Sequence, residues 1–200
     1  MAISDLAYLP PSRGTLNLLK RRLELAERGK RILEMRREIL TKEMFFLLEK
    51  VKERKNIERR FIETLKNVNE LRLQLGELNF RALASLSRPP GATSLNVSFQ
   101  GVPCPQVKLL GPPDTSLHYD AETLKLIDEL WNALAALVDV SNFEVAVRCI
   151  GEQLLRVNQV INSLERNIIP MLEDAIRRTE ERVAARELEE HVRVRKLRGA

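Results

Sequence analysis

From Ser12 to Ser87 the chain contains no proline, and along that stretch apolar residues return at alternating steps of three and four. Leu16, Leu19, Leu23, Ala26, Leu33, Leu40, Met44, Leu47 and Val51 set the rhythm, and Phe61, Leu65, Val68 and Leu75 resume it. That spacing keeps one seam of an α-helix turned toward a partner helix. One continuous helix here, about 74 residues at 1.5 Å each, would reach roughly 110 Å, and a helix so long needs another lying along it. Lys30, Arg37, Arg54, Glu58 and Arg72 occupy seam positions. They read either as register-setting defects of a coiled coil or as places where a third component is met.

The partner helix lies in the same chain. Leu124, Ile127, Trp131, Leu134 and Val138 repeat the spacing, and Ile150, Leu154, Val157, Ile161, Leu164 and Ile168 carry it on. Past Pro170 the seam shifts by one residue to Leu172, Ile176, Thr179 and Val183, as expected where a proline removes a backbone hydrogen bond and kinks the helix. Between the arms, Arg88-Pro89-Pro90-Gly91 ends the first helix, and the stretch to Leu117 holds six of the nine prolines. Inside it Leu95, Val97 and Phe99 alternate with polar residues, Gln100-Gly101 offers a turn, and Val107 and Leu109 alternate on the return. This predicts a two-stranded hairpin whose second strand, with Pro103 and Pro105, is an edge or carries a bulge.

The predicted division is therefore an extended lead over 1–12, with Ser12 at an N-cap, and a coiled-coil helix over 13–87. A proline-rich linker with a short β-hairpin covers 88–118, and a second coiled-coil helix 119–198, with kinks near 141–150 and at 170. Arms of similar length joined by a compact linker make the expected fold all-α: a long antiparallel two-helix coiled-coil hairpin with a small β-hairpin-like insert at the tip. Only 4% of residues are aromatic, which suits helices packed along a strip better than a thick globular core.

Charge is distributed unevenly. Arg13 to Arg37 holds nine Lys or Arg against three Glu, the last ten residues hold four against none, and from Asp114 to Glu144 Lys125 alone opposes seven acids. Antiparallel arms bring the two basic termini together and leave the acidic stretch at the other end of a rod. The first residues lack the pattern of a secretory signal, and no run is apolar for the roughly 18 residues of a membrane span. Cys104 and Cys149 are too few and too far apart in sequence to predict a staple or a zinc site, and read as reduced thiols.

No phosphate loop, dinucleotide fingerprint, zinc-protease motif or Cys/His cluster occurs. His118 and His191 have no catalytic neighbours in sequence. Glu165, Glu173 and Asp174 sit among arginines as an ion-paired face. Arg177, Arg178, Arg182 and Arg186 would make a phosphate-tracking stripe, but Glu180, Glu181, Glu187, Glu189 and Glu190 interleave with them, which weakens attraction for nucleic acid. Trp131 reads as a core residue or as an anchor near the acidic tip. No cofactor or metal is implied, and the chain is not expected to be an enzyme in its own right.

Two distant segments resemble a known family. Ile161-Asn162-Ser163-Leu164-Glu165-Arg166-Asn167-Ile168-Ile169-Pro170 is similar to the V-N-A-L-E-x-V-I-I-P motif of the D subunit of the rotary V/A-type ATPases. Glu187 to Lys196 resembles that family's acidic-then-basic ending, and Pro11-Ser12-Arg13 with the helix after it resembles the P-T-R opening. The resemblance implies a non-catalytic central-stalk rotor shaft, coupling ATP hydrolysis or synthesis in a hexamer of A and B subunits to proton or sodium transport through a membrane ring. Implied partners are the A and B subunits, the F subunit and the funnel-shaped subunit (C or d) above the ring. The implied location is the cytoplasmic side of the membrane, as part of a peripheral complex without direct membrane insertion. On this reading Arg13, Lys20, Arg28, Arg31, Arg178, Arg182, Arg193, Arg195 and Lys196 face the hexamer, Pro170 is a kink, and Leu16, Leu19, Leu23, Leu33, Leu40, Leu47, Leu154, Ile161, Leu164 and Ile168 are the seam. The competing reading is a structural or nucleic-acid-binding coiled-coil arm of another assembly.

Overall fold

A computed structural model describes Pro10, residues 12–117 and residues 120–199. Most of the predicted N-terminal lead, and His118, lie outside the described residues. The order of elements is α1 (Arg13–Val51), α2 (Arg54–Leu75), α3 (Glu77–Ser85), β1 (Ala92–Phe99), β2 (Val102–Leu109), α4 (Ala121–Ser163), a π-helical turn (Leu164–Ile168) and α5 (Ile169–Arg198). The fold is all-α with a small antiparallel two-stranded insert. The chain forms two compact units, one from the residues up to Glu38 with those from Leu155 onward, the other from Ile39–Leu154.

In the first unit, α1 starts where Ser12 accepts the Thr15 amide on its hydroxyl at 3.1 Å, an N-cap that satisfies one of the free donors of the first turn. α1 and α5 pair antiparallel: Arg13 meets Glu187 at 2.8 Å, Lys20 meets Glu180 at 2.7 Å, and Lys30 meets Glu165 at 2.9 Å, so each step up one helix is a step down the other. Leu19, Leu172 and Ile176 are buried together, with Leu16, Leu23, Ala26, Ile168 and Ala175 packed around them.

The one-residue shift of the seam takes place in a widened turn just before Pro170. The turn Leu164–Ile168 is π-helical, and the Ile169 amide bonds back to the Leu164 carbonyl, five residues earlier. A π-turn holds one extra residue, which moves the seam from Ile168 to Leu172 instead of 171. Pro170 sits at the start of α5, immediately after the widened turn, where its missing N–H and bulky ring are tolerated.

In the second unit, the expectation of one helix from Ser12 to Ser87 is corrected twice. α1 ends at Val51 and α2 begins at Arg54, and Gly76, at φ 77°, separates α2 from α3. Glycine alone takes that left-handed conformation without a side-chain penalty. The seam also changes register past the first break. Ile57, Phe61, Thr64, Val68, Leu71 and Leu75 are half-buried, whereas Leu65 and Arg72 are exposed.

α4 starts at Asp120, whose carboxylate accepts the Thr123 hydroxyl at 2.6 Å and the Thr123 amide at 3.2 Å. These hydrogen bonds hold Asp120 below the usual carboxylate range. α4 runs unbroken from Ala121 to Ser163, through the stretch 141–150 where the sequence predicts a kink. The Ser141 hydroxyl donates to the Leu137 carbonyl one turn back, a bond that helices accommodate with at most a bend, and Asn142 spends its carboxamide on the hairpin. α2 pairs antiparallel with α4, with Arg54 on Glu144 at 2.9 Å. The Lys50 ammonium sits 4.5 Å from the Phe46 ring and 4.7 Å from the Phe143 ring.

The hairpin pairs Ala92 with Leu109 through to Phe99 with Val102. Gln100 and Gly101, at φ 49° and 78°, form the two-residue turn whose twist suits right-twisted strands. A two-residue loop makes Phe99–Val102 a hydrogen-bonded pair, so Val97–Cys104 and Leu95–Gln106 are too, and the alternate residues of β2 point their backbone groups outward. Pro103 and Pro105 fall on those outward positions and cost the ladder nothing. Val107 is the next outward residue. Its amide donates to Asn142 Oδ1 and its carbonyl accepts from Asn142 Nδ2, both at 2.8 Å.

Candidate functional site

The first unit carries a basic surface and an uncovered apolar stripe. On α1 the face opposite the seam carries Leu18, Arg21, Leu25, Arg28, Ile32 and Met35, again three and four apart. Leu18, Leu25, Ile32 and Met35 are all exposed there, Leu25 by 70%. A helix pair needs one apolar stripe per helix; α1 has two. The second escaped the sequence reading because the stronger seam absorbed the periodicity, yet Leu18, Leu25 and Ile32 recur every seven residues.

The predicted charged residues separate into two groups. Arg13, Lys20 and Arg28 are engaged within the chain by Glu187, Glu180 and Glu24. Arg31, Arg178, Arg182, Arg193, Arg195 and Lys196 are exposed and make no ion pair among the described residues, which leaves them available to an acidic surface. Of the seam residues, Leu19, Leu40, Leu47, Leu154 and Ile161 are buried, and Leu16, Leu23, Leu33, Leu164 and Ile168 half-buried.

Lys30, a polar seam residue, reaches across to Glu165, and Glu34 lies 3.9 Å from the same ammonium. Hydrogen bonding to Glu165 raises the Lys30 pKa, with the Glu165 and Glu34 charges adding to it against partial burial. Glu165 is lowered in turn, first by the Lys30 hydrogen bond and then by its charge. The defect in the seam is thus a cross-helix ion pair. Glu165 lies within the π-turn, so the widened turn and the polar seam position meet at one place.

Among the described residues no group of three or more His, Cys, Asp or Glu could hold a metal ion, and no helix is long and apolar enough to cross a membrane. Trp131 is half-buried and lines a groove with Leu95, Val97, Val107 and Leu109. His191 is exposed.

A helix pair with an exposed apolar and basic face, running into a basic C-terminal stretch, has the form of a scaffold element. The profile of the ATP synthase D-subunit family matches residues 15–199, and the chain belongs to that family. It is similar to the D subunit of the A-type ATP synthase of Methanoregula boonei, at 26% identity over 100% of this chain and 98% of the relative. The D subunits of the V-type ATP synthases of Thermotoga neapolitana (26% identity, 94% of this chain, 96% of the relative) and Thermus thermophilus (28%, 97% and 89%) are similar over much the same extent.

Proposed function

We propose that this chain is the central-stalk shaft of a rotary ATP synthase of the A/V type. It does no bond chemistry itself, and transmits torque between a hexamer of A and B subunits and an ion-carrying membrane ring. The observation that carries this reading is the second apolar stripe on α1, in a unit where Arg31, Arg178, Arg182, Arg193, Arg195 and Lys196 are exposed and make no ion pair among the described residues, in a chain that belongs to the D-subunit family. An axle needs an internal seam to resist twist and a second surface to meet its bearing. The first unit has both.

The exposed cations suit a contact that must be exchanged as the shaft turns. Surface ion pairs contribute about 0 to 1 kcal/mol each, which guides the shaft without trapping it. On this reading Arg31, Arg178, Arg182, Arg193, Arg195 and Lys196 face the hexamer, Arg13, Lys20 and Arg28 act through their internal ion pairs, and the remaining partners are the F subunit and the funnel-shaped subunit. The complex then works at the cytoplasmic side of the membrane.

The test is assembly with purified A and B subunits. Leu25→Asp with Ile32→Asp should abolish co-elution with the hexamer while leaving the helix content of the isolated chain unchanged. Reversing the charge of Arg31, Arg178, Arg182 and Arg193 should weaken it and uncouple ATP hydrolysis from ion transport. Unchanged hexamer affinity and unchanged coupled transport in both variants would reject the shaft role.

A further inference from the structure

The two cysteines, 45 residues apart in sequence, are neighbours in the second unit. Cys104 is fully buried, at 0% exposure, and its thiol donates to its own strand at the Val102 carbonyl, 3.6 Å away. Cys149 is half-buried and lies close enough to act on the Cys104 thiol.

The placement follows from the way β2 lies on α4. Asn142 grips the Val107 backbone at one point. Cys104 is three residues back along the strand, about 10 Å at 3.3 Å per residue. Cys149 is seven residues on along the helix, about 10.5 Å at 1.5 Å per residue. The two advances match, and seven residues are two turns, so Asn142, Ala146 and Cys149 share a face of α4. Ala146 on that face is fully buried. Strand and helix therefore run side by side with a polar clamp at one end of the contact and two thiols at the other.

We propose that Cys104 and Cys149 form a latent dithiol that closes to an intramolecular disulfide on meeting a small-molecule disulfide, stapling the β-hairpin to α4. Cys149, the less buried thiol, attacks one sulfur of the oxidant as its thiolate, releasing one equivalent of reduced thiol and leaving a mixed disulfide on Cys149. Cys104 then attacks Cys149 Sγ, its proton passing to the departing thiolate, which leaves as the second equivalent of reduced thiol. Two protein thiols are oxidised and one disulfide is reduced to two thiols. Burial first, and then the Cys149 thiol beside it, push the Cys104 thiol up to about 11. Little thiolate is present at neutral pH, so closure is slow. The staple adds a covalent anchor to the Val107–Asn142 clamp, one that reducing agents remove.

The experiment is to incubate the reduced full-length chain with oxidised glutathione, then denature it, alkylate it and map its peptides without reduction. The expected product is a monomer lighter by two hydrogens, containing a Cys104–Cys149 linked peptide, with both residues protected from alkylation and both regained on reduction. Hydrogen exchange of β1 and β2 amides should slow at least several-fold in the oxidised form. A stable glutathione adduct on Cys149 with Cys104 still alkylatable, covalent dimers, or no oxidation product at all would each overturn the proposal. Cys149→Ser, at a half-buried position that tolerates the change, should give no linked peptide; a linked peptide or slowed hairpin exchange in that variant would also overturn it.

Discussion

Between residues 133 and 150 of α4 all but three positions are buried or half-buried, whereas beyond Leu154 the same arm buries one narrow stripe through Val157, Ile161, Leu172 and Ile176. The second unit encloses α4 on more than one side. Arg54 and Lys50 reach it from the N-terminal arm, and the hairpin is clamped to it by Asn142. The first unit pairs two helices along a single seam, with the ion pairs of Arg13, Lys20 and Lys30 across it, and leaves the outer face of α1 uncovered. One unit supplies its own further layer of structure; the other leaves Leu18, Leu25, Ile32 and Met35 exposed. The stability of the chain is therefore expected to be concentrated in the second unit, and its binding capacity in the first.

The largest effects should show that contrast directly. Ile150→Ala, at a site with no exposure and neighbours on several sides, should cost about 4 kcal/mol in denaturant unfolding. Leu19→Ala, in a two-helix pair free to close over the gap, should cost about 2 kcal/mol. Equal losses would erase the distinction between the enclosed and the open unit. Asn142→Ala removes both hydrogen bonds to Val107 and should cost about 1 to 2 kcal/mol, with faster hydrogen exchange at the Val107 amide and no change in α1. A hairpin amide that stays equally protected would mean the clamp is not what holds the insert.

A smaller effect isolates the π-turn. Deleting Asn167 together with Pro170→Ala removes the extra residue and the proline that follows it, and leaves Leu172 and Ile176 on the regular three-four seam. The variant should keep its helix content and lose less stability than Leu19→Ala; a loss as large would show that the widened turn does more than correct register. The smallest expected effect is that of Glu165→Gln, which breaks the ion pair with Lys30. Because Glu165 is held below its ordinary value in the folded chain, its contribution is complete above the unfolded glutamate range. It fades as pH falls through the lowered folded value. The Tm difference between Glu165→Gln and the parent should therefore be present at neutral pH and vanish in acid.

Much of the helical plan was legible because a buried seam on a two-helix pair writes itself directly as a three-four repeat, as at Leu16, Leu19 and Leu23 or at Leu154, Val157 and Ile161. The hairpin was legible from Gln100-Gly101 and the alternation around it. Gly76 carried a readable signal for the second helix break, outweighed by the apolar repeat on either side of it. The gap at Lys52-Glu53 carried none, since both residues are good helix formers. The free surface of α1 was harder to see, because an exposed leucine and a buried one are the same letter.

The sequence by itself determined where helix was favoured, which stripe had to be covered, where the chain had to turn, and that its two basic ends belong to paired arms. Only the tertiary structure decided that Cys104 lies against Cys149, that Asn142 closes the edge of β2 rather than breaking α4, that the seam shifts through a π-turn, and that Lys30 ends on Glu165. Periodicity is a local property that each helix carries alone. Partnership between residues far apart depends on how strand and helix are laid side by side, and no local pattern encodes that offset.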